Sequence, residues 1–224
     1  MITKAGIVKG NEFNEYLQNM TMVGNVTVND GIASGFTTSN YFKLPVLKVG
    51  LNPWEINVAF MITSYDGGSY AYPIFIINGA SYMNEGGVLL QISQTRQVVS
   101  YGFQSGINPK WDIGTSYGST ELLINTLYYA KVLFNGTQYV IKLSTDNSTW
   151  TTEATINSTK VIQQDDDCVC FIGYRNSLNW AYLNGSIYLK NFTIKVNDKL
   201  VYSPALNKTT ISKYQTTANN FYEI

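Results

Sequence analysis

The chain has 224 residues, of which 45% are apolar, 14% aromatic and only 13% charged. Its 15 basic residues balance its 15 acidic residues and are scattered singly, so the sequence shows no cluster of Lys and Arg to hold a phosphate backbone, and we expect no nucleic-acid partner. No apolar run approaches the about 20 residues that cross a bilayer, and we therefore expect no membrane partner.

The N-terminal segment holds a helical pattern. Apolar residues recur there at helical spacing, at Phe13, Tyr16, Leu17 and Met20. This spacing predicts one or two helical turns after Asn11, which is suited to capping the helix. The segment lacks the apolar core of a secretory signal, so we expect synthesis in a cytoplasm without export by that route.

From residue 54 onward, the dominant pattern is the period-two alternation of β-strands with one apolar face. In the stretch 55–62, the apolar positions are Ile56, Val58, Phe60 and Ile62. Turns rich in Gly, Asn and Ser separate this stretch from the strands that follow. Further short strands are predicted at Val88–Ile92, Val98–Phe103, Glu121–Leu127 and Cys168–Tyr174.

The clearest hairpin lies in residues 128–144. In the first strand, every second residue up to Phe134 is apolar. In the second strand, the same alternation runs from Tyr139 through Ile141. Between them, Asn135-Gly136 is the strongest two-residue signal for a type I′ turn. The sequence therefore predicts two paired strands with their apolar faces on the same side.

The closing stretch, residues 182–204, alternates in two phases. Asn184-Gly185 predicts a turn, and the apolar positions then change parity near Lys190-Asn191. Because a shift of one residue turns every side chain to the other face, we expect a bulge there. Asn197-Asp198 predicts the next turn, and Pro204 is expected to end the pairing.

Cys168 and Cys170 lie two residues apart in a predicted strand. Side chains at this spacing point to the same face in nearly parallel directions, which is a poor geometry for a disulfide. With no histidine and no further cysteine in the chain, a zinc site would lack ligands. We expect two reduced thiols in the core. The run Asp165–Asp167 is expected to be a solvated turn, not a calcium loop.

Many short strands separated by turns, without alternating helices, indicate an all-β fold, an antiparallel β-sandwich. No shift in composition divides the chain, so residues 1–224 are predicted to form one domain. Its core is expected at about residues 24–204. The segments 1–23 and 205–224 are interpreted as extensions or arms.

The order of several pieces resembles the concanavalin A-like lectin and glucanase (laminin-G-like) jelly roll, in the form found in bacteriophage tail and other virion proteins. These pieces are Gly35–Pro45, Pro53–Ile62, Leu127–Trp150, Phe171–Asn176 and Leu183–Ser203. The resemblance covers about residues 24–204 and implies a jelly roll.

Two positions depart from the family pattern. Tyr188 stands where an acidic residue is frequent, which removes one carboxylate that could otherwise hold a cation. Asn147 stands where the turn often has Gly. Neither departure conflicts with the fold that the resemblance implies.

We expect no enzymatic activity, no catalytic residues, no metal and no cofactor. Glycoside hydrolysis needs two carboxyl groups across the scissile bond. The hydrolases that share this fold carry Glu-x-Asp-x-x-Glu on one strand, and this chain has no such motif. The absence of histidine excludes Ser-His-Asp and Cys-His sets, and no Gly-rich phosphate loop opens a helix. Acids distant in sequence that meet in space would still permit a polysaccharide-degrading glycoside hydrolase, which stays an alternative.

Aromatic residues in the turns are the candidate ligand-binding residues. A sugar ring offers an apolar face ringed by hydroxyls, which suits a flat aromatic beside amide hydrogen-bonding groups. The candidates are Tyr65, Tyr70, Trp111, Tyr117, Arg175, Asn176 and Trp180. Each aromatic could equally be a core, hairpin or interface residue, since Tyr and Trp serve all of these roles.

The function that these observations favour is that of a non-enzymatic surface component of a bacteriophage virion, made in the cytoplasm of the host bacterium. It would be a tail or head fibre, or a capsid decoration, with lectin-like adhesion to host-surface glycans. We expect other virion subunits and a bacterial surface glycan as partners, and a homo-oligomer. A purely structural virion subunit that binds no ligand is one alternative, and the polysaccharide-degrading enzyme is the alternative of a different class.

Overall fold

The computed structural model describes residues 20–65, 71–80, 87–105, 112–164, 168–175 and 181–202, and these form 17 β-strands. The first nine are β1 (Thr21–Val23), β2 (Thr27–Asn29), β3 (Ile32–Ser34), β4 (Tyr41–Leu44), β5 (Trp54–Ile62), β6 (Ala71–Ala80), β7 (Gly87–Ser93), β8 (Val99–Gln104) and β9 (Gly114–Tyr117). The others are β10 (Leu127–Phe134), β11 (Gln138–Ser144), β12 (Thr151–Asn157), β13 (Cys168–Ile172), β14 (Tyr174–Arg175), β15 (Ala181–Tyr182), β16 (Gly185–Val196) and β17 (Lys199–Tyr202).

The strands form two antiparallel sheets packed face to face, which confirms the predicted all-β sandwich. The seven-stranded sheet has the order β1-β4-β13-β6-β7-β8-β9. The eight-stranded sheet has the order β12-β11-β10-β5-β16-β3-β2, with β17 also paired to β16. A short pair, β14 and β15, stands apart from both sheets. Within the described ranges, no helix is long and apolar enough to cross a membrane.

The core consists of the inward-facing residues of both sheets. In β5, the predicted alternation is observed: Ile56, Phe60 and their inward neighbours are fully buried. Rings from opposite sheets meet in the middle, as where the centroids of Phe103 and Tyr139 lie 4.7 Å apart. The sandwich is therefore stabilised chiefly by apolar burial between its two inner faces.

Tyr139 of β11 carries a polar hydroxyl group into this core. Its ring is buried against Phe134 and Trp54, and its hydroxyl donates to the carbonyl oxygen of Lys160 at 2.6 Å. Burial, together with the nearby Asp112, raises the pKa of this hydroxyl well above its usual range. The hydroxyl therefore stays protonated and ties residue 160 to the core.

Asn78 of β6 joins three segments through a buried side chain. Its Oδ1 accepts from the backbone N–H of Leu47 at 2.7 Å, and its Nδ2 donates to the carbonyls of Leu47 and Gln163. Its backbone N–H reaches the Sγ of Cys170 at 3.1 Å. The backbone of Asn78 has a positive φ of 58°, which Asn tolerates better than most residues do. Its side chain supplies hydrogen-bond partners to backbone groups of Leu47 and Gln163.

Both cysteines are free and buried, as the sequence predicts for reduced core thiols. Burial raises the pKa of the Cys170 thiol to about 12, against a smaller opposing effect of its hydrogen bonds. The thiol is therefore an inert apolar group at neutral pH.

The predicted strand Glu121–Leu127 is wrong. Residues 118–126 form a connection, and only Leu127 belongs to a strand. Leu122 is buried, whereas Leu123 and Ile124 are 61% and 50% exposed, so no strand face forms. Asn125, at a φ of 57°, interrupts the extended backbone before β10.

The hairpin of β10 and β11 is confirmed, but its predicted turn type is wrong. Asn135 and Gln138 close the turn, since the N–H of Asn135 donates to the carbonyl of Gln138 at 3.1 Å. The central pair is therefore Gly136-Thr137, and only Gly136 has a positive φ. A type I′ turn needs two such residues, whereas glycine at the first central position fits type II′.

The bulge predicted in the closing stretch is confirmed. Tyr188 pairs with Ala59 and Thr193 pairs with Asn57, so five steps along β16 span two steps along β5. Buried side chains lie on both sides of this irregularity. The Asn197-Asp198 turn is also confirmed, since both residues have the positive φ that a two-residue hairpin favours.

Several predictions lie outside the described residues. They are the helical turns before Met20, the acidic run at 165–167, and the end of pairing at Pro204. Within the resembling piece Gly35–Pro45, only Tyr41–Leu44 is a strand, because Thr37 and Asn40 bond to each other across a tight turn.

We expect Ile141→Asn to lower the free energy of unfolding by about 3 kcal/mol, because it buries an amide without partners in the core. Ile141 is fully buried, whereas its neighbour Lys142 points outward. Lys142→Asn is therefore the matched control, with an expected change within about 0.5 kcal/mol. Urea unfolding of both variants measures the difference, and equal stabilities would show that the strand faces are assigned wrongly.

Candidate functional site

The structure describes two of the seven predicted site residues in full, Tyr65 and Tyr117. Arg175 is described by its backbone, which pairs with Ala181 between β14 and β15. The remaining four lie outside the described residues: Tyr70, Trp111, Asn176 and Trp180. Their roles as ligand-binding residues stay predictions.

Tyr65 has a packing role in the structure. Its hydroxyl donates to the carbonyl oxygen of Leu122 at 2.6 Å, and its ring lies 6.1 Å from that of Tyr72. Burial is the largest of several effects that raise the pKa of its hydroxyl to about 12. The hydroxyl of Tyr65 is thus hydrogen-bonded to the segment that connects β9 and β10.

Tyr117 stands at the edge of a groove on the outer face of the seven-stranded sheet. The groove has a volume of about 340 Å³ and crosses β7, β8 and β9. One cross-strand row runs from Gln91 through Ser100 to Tyr117, and the next runs from Leu89 to Thr115 across a glycine. Neither an acidic nor a basic side chain is among its described lining residues.

The groove is hollow because β8 has the smallest outward side chains. Val99, Tyr101 and Phe103 point to the core, which leaves Ser100 and Gly102 on the outer face. Larger side chains stand on both flanking strands. A strand of small residues between two strands of larger ones leaves a depression, whose floor at Ser100 is only 7% exposed.

Arg96 holds the ring of Tyr117 in place. The guanidinium carbon lies 4.2 Å from the ring centroid, within the range of a cation–π contact. Tyr117 is still 45% exposed, so it remains available to a ligand. The contact restricts the ring, which reduces the conformational entropy that a ligand would have to remove.

A buried carboxylate holds the start of β9. Asp112 accepts from the N–H and hydroxyl of Ser105, at 2.8 and 2.7 Å, and from the ammonium group of Lys160 at 2.8 Å. Burial alone would raise the pKa of Asp112, but the hydrogen bonds from Lys160 and Ser105 outweigh it and lower the pKa to about 2. These contacts tie the end of β8 to the beginning of the strand that carries Tyr117.

A second carboxylate holds the end of β9. Glu153 of β12 accepts from the backbone N–H groups of Ser119 and Thr120 at 2.6 and 3.0 Å. Gly118 permits this approach, since a Cβ there would come within 2.5 Å of the carboxylate. β9 is therefore anchored at both ends, once within its own sheet and once to the opposite one.

An aromatic cluster lies on the same outer face. Tyr174 stacks on Tyr41 at 4.5 Å between centroids and lies 5.5 Å from Phe171. Leu89 belongs both to this cluster and to the lining of the groove. The structure thus places the start of the segment that contains Arg175 on the face that carries Tyr117.

Sequence reasoning missed most of the groove. The alternation of β8 could have indicated that Ser100 and Gly102 share a face, but the sequence was used to predict only a short strand at Val98–Phe103. Arg96 gives no local signal, because its contact with Tyr117 depends on pairing between β8 and β9. Among the described residues, no group of three or more His, Cys, Asp or Glu side chains is placed to hold a metal ion.

No family model matches the chain, and no curated protein matches it by sequence. Solved structures do match its fold. A botulinum neurotoxin type C structure, described by the dependence of cell entry on two ganglioside molecules, has a TM-score of 0.54 and 11% identity. The match covers 90% of this chain and 47% of that chain, so this chain spans about half of the toxin fragment.

Two further structures share the sandwich. The exoplasmic/lumenal domain of VIP36, in its Ca²⁺/Man-bound form, has a TM-score of 0.50 and 9% identity, with 85% of this chain and 90% of that chain covered. A Trypanosoma rangeli sialidase has a TM-score of 0.50 and 12% identity, with 80% and 27% covered. At these identities the matches show the fold, a jelly-roll sandwich shared with lectin-like domains, as the resemblance implied.

We expect Asp112→Asn to lower the free energy of unfolding by about 2 kcal/mol at neutral pH. The pKa of Asp112 is about 2 in the folded protein and about 3.9 in an unfolded chain. Because folding lowers this pKa, the stabilisation is complete above about pH 4 and is lost as the pH falls through about 2.

The gap between wild type and Asp112→Asn should therefore close on acidification, which urea unfolding across this pH range measures. Asp198→Asn is the matched control, since it changes an exposed carboxylate in a turn. A gap that stayed constant down to about pH 2 would contradict the role assigned to Asp112.

Proposed function

We propose that this protein is a non-enzymatic carbohydrate-binding sandwich that holds a glycan in the groove beside Tyr117. The observation that carries the proposal is the hollow of about 340 Å³, whose described lining residues are uncharged, with an exposed aromatic ring at its edge. A sugar ring would pack its apolar face on Tyr117. Its hydroxyls would bond with the exposed hydroxyl groups of Thr115 and Ser116.

The described lining supports a neutral sugar, and the charged group next to it is the guanidinium of Arg96 over the Tyr117 ring. Gln91, Ser100, Thr115 and Ser116 supply amide or hydroxyl groups, whereas no described lining residue is acidic or basic. The hydroxyl of Thr115 is already oriented, because it donates to the carbonyl of Tyr101 at 2.8 Å. Its lone pairs stay available to accept from a ligand.

The matched structures support a carbohydrate role through what they hold. The VIP36 domain is described as bound to Ca²⁺ and Man, and the neurotoxin as interacting with gangliosides. Both share this sandwich at low identity. Their ligands make a glycan the first class to test on this chain.

A binding role fits the groove better than catalysis. Glycoside hydrolysis requires two carboxyl groups on either side of the bond. No described lining residue of the Tyr117 groove carries one. The sialidase match leaves hydrolysis as the alternative to be tested, and release of reducing ends from a polysaccharide would establish it.

We further propose that the protein is a surface component of a bacteriophage virion, where glycan binding would serve adhesion to the host. The resemblance of its segments to virion jelly rolls supports this role. So does the low fraction of charged residues, 13%, since polar neutral surfaces with many tyrosines suit subunit interfaces. A purely structural subunit is the competing proposal.

We expect Tyr117→Ala to weaken glycan binding at least about tenfold, because the stacking surface is lost. Binding to an array of bacterial surface glycans, followed by titration calorimetry on the best neutral ligand, measures the effect. Tyr188→Ala, on the outer face of the other sheet, is the control and should bind as wild type does. Retention of no sugar by the wild-type protein would reject adhesion.

The virion role predicts that the protein is found on particles. Antibodies raised against the purified protein should label the surface of phage particles released by the bacterium that carries the gene. Electron microscopy with immunogold detects such labelling. Labelled particles combined with an empty glycan array would favour the purely structural role, and unlabelled particles would contradict both virion roles.

A further inference from the structure

A second groove lies on the outer face of the eight-stranded sheet, opposite the groove of Tyr117. Its volume is about 220 Å³. The floor is formed by outward residues of β5 and β10, among them Asn57 and Lys131, which pair across the strands. Trp150 stands on one side of this floor and the irregular part of β16 on the other.

The bulge of β16 builds one wall. The residues that it adds between Tyr188 and Thr193 include Lys190 and Asn191, and both line the groove. Beyond the bulge, Thr193 and Lys195 continue the wall along β16. An ordinary strand would leave this face flat, so the groove is a consequence of the bulge.

A tight turn after β11 builds the other wall. The Oδ1 of Asp146 accepts from the N–H groups of Ser148 and Thr149 at 2.8 and 2.7 Å, which holds the pKa of this carboxyl well below its usual range. Asn147 occupies the middle of the turn with a φ of 60°, where the family pattern often has glycine. The turn thus presents Asn147 and Trp150 to the groove on a fixed backbone.

The charges in this groove are unbalanced. Glu55 lies between two ammonium groups, at 3.7 Å from Lys131 and 3.6 Å from Lys195. Lys190 also lines the groove and is exposed, so the described lining residues comprise three lysines and one carboxylate. The excess positive charge distinguishes this groove from the neutral one of Tyr117.

The groove is organised before any ligand binds. The side chain of Asn57 donates to Glu55 at 2.8 Å and to the hydroxyl of Thr193 at 3.1 Å. The ammonium group of Lys131 lies 4.6 Å from the ring centroid of Trp150, and this side chain is only 26% exposed. A lysine on a fully solvated sheet face would have neither the aromatic contact nor the partial burial. These two features therefore hold Lys131 where a ligand would meet it.

We propose that this second groove binds an anionic saccharide, with the acidic group of the sugar between Lys131, Lys190 and Lys195. The amides of Asn147 and Asn191 and the hydroxyl of Thr193 would bond with ring hydroxyls. The indole of Trp150 would border the ring. This site is independent of the Tyr117 groove, and the two together would let one subunit hold a neutral and an acidic sugar on opposite faces.

The test uses trigalacturonic acid as the probe and its neutral counterpart, a galactose trisaccharide, as the comparison. Titration calorimetry on the full chain should show preferential binding of the acidic probe, weakened by added NaCl because salt screens exposed charges. Lys195→Gln should weaken this binding by about threefold to fivefold, the range of an exposed ion pair.

Glu55→Gln should strengthen binding of the acidic probe, whereas Lys195→Gln should weaken it. The variant keeps an acceptor for Asn57 but removes the carboxylate that competes for two lysines, so binding of the acidic probe should strengthen. A purely structural role of Glu55 would not produce this gain. Lys43→Gln, at an exposed position of the other sheet, is the control and should leave binding unchanged.

Two results would overturn the proposal. One is equal affinity of the Tyr117→Ala variant, whose neutral site is disabled, for the acidic and neutral trisaccharides, or no binding of the acidic one. The other is acidic binding that Lys195→Gln and Glu55→Gln leave unaltered. Tyr117→Ala separates the two grooves, since it should weaken neutral-glycan binding at least about tenfold and leave the acidic probe bound as in wild type.

Discussion

The structure depends on the burial of alternate residues between two sheets. Each strand of the core turns one face inward, and rings such as Phe103 and Tyr139 from opposite sheets meet there. Apolar burial of this kind is non-directional, so it fixes which residues are inside without specifying what the outer faces do. The outer faces are therefore free to vary, and both candidate grooves lie on them.

The two grooves arise from different departures from a regular sheet. The groove of Tyr117 exists because β8 has small outward residues, Ser100 and Gly102, between strands with larger ones. The groove of Trp150 exists because β16 bulges and a capped turn stands opposite. Regular strand pairing supplies a flat surface, and a local exception makes it concave enough to hold a ligand.

Buried and partly buried polar side chains hold strand ends and loops in place. Asp112 and Glu153 hold the two ends of β9, and Asn78 satisfies two loops with one buried amide. Each of these groups sits where a backbone N–H would otherwise lack a partner. Leaving such a donor unsatisfied is costly, which explains why a chain with so few charges places carboxylates at strand ends.

The sequence by itself determined the fold class, the inward faces of β5, β10 and β11, the buried thiols and the bulge of β16, because period-two alternation is a local property of the chain. It did not determine the conformation of the Glu121–Leu127 segment. The apolar residues of this segment resemble those of a strand, but only Leu122 is buried, and Asn125 turns the backbone. Only the tertiary structure decided which outward residues stand together, as with Arg96 and Tyr117 or Glu55 and Lys195. Those neighbours come from different strands and turns, and the pairing of the strands in each sheet brings them together.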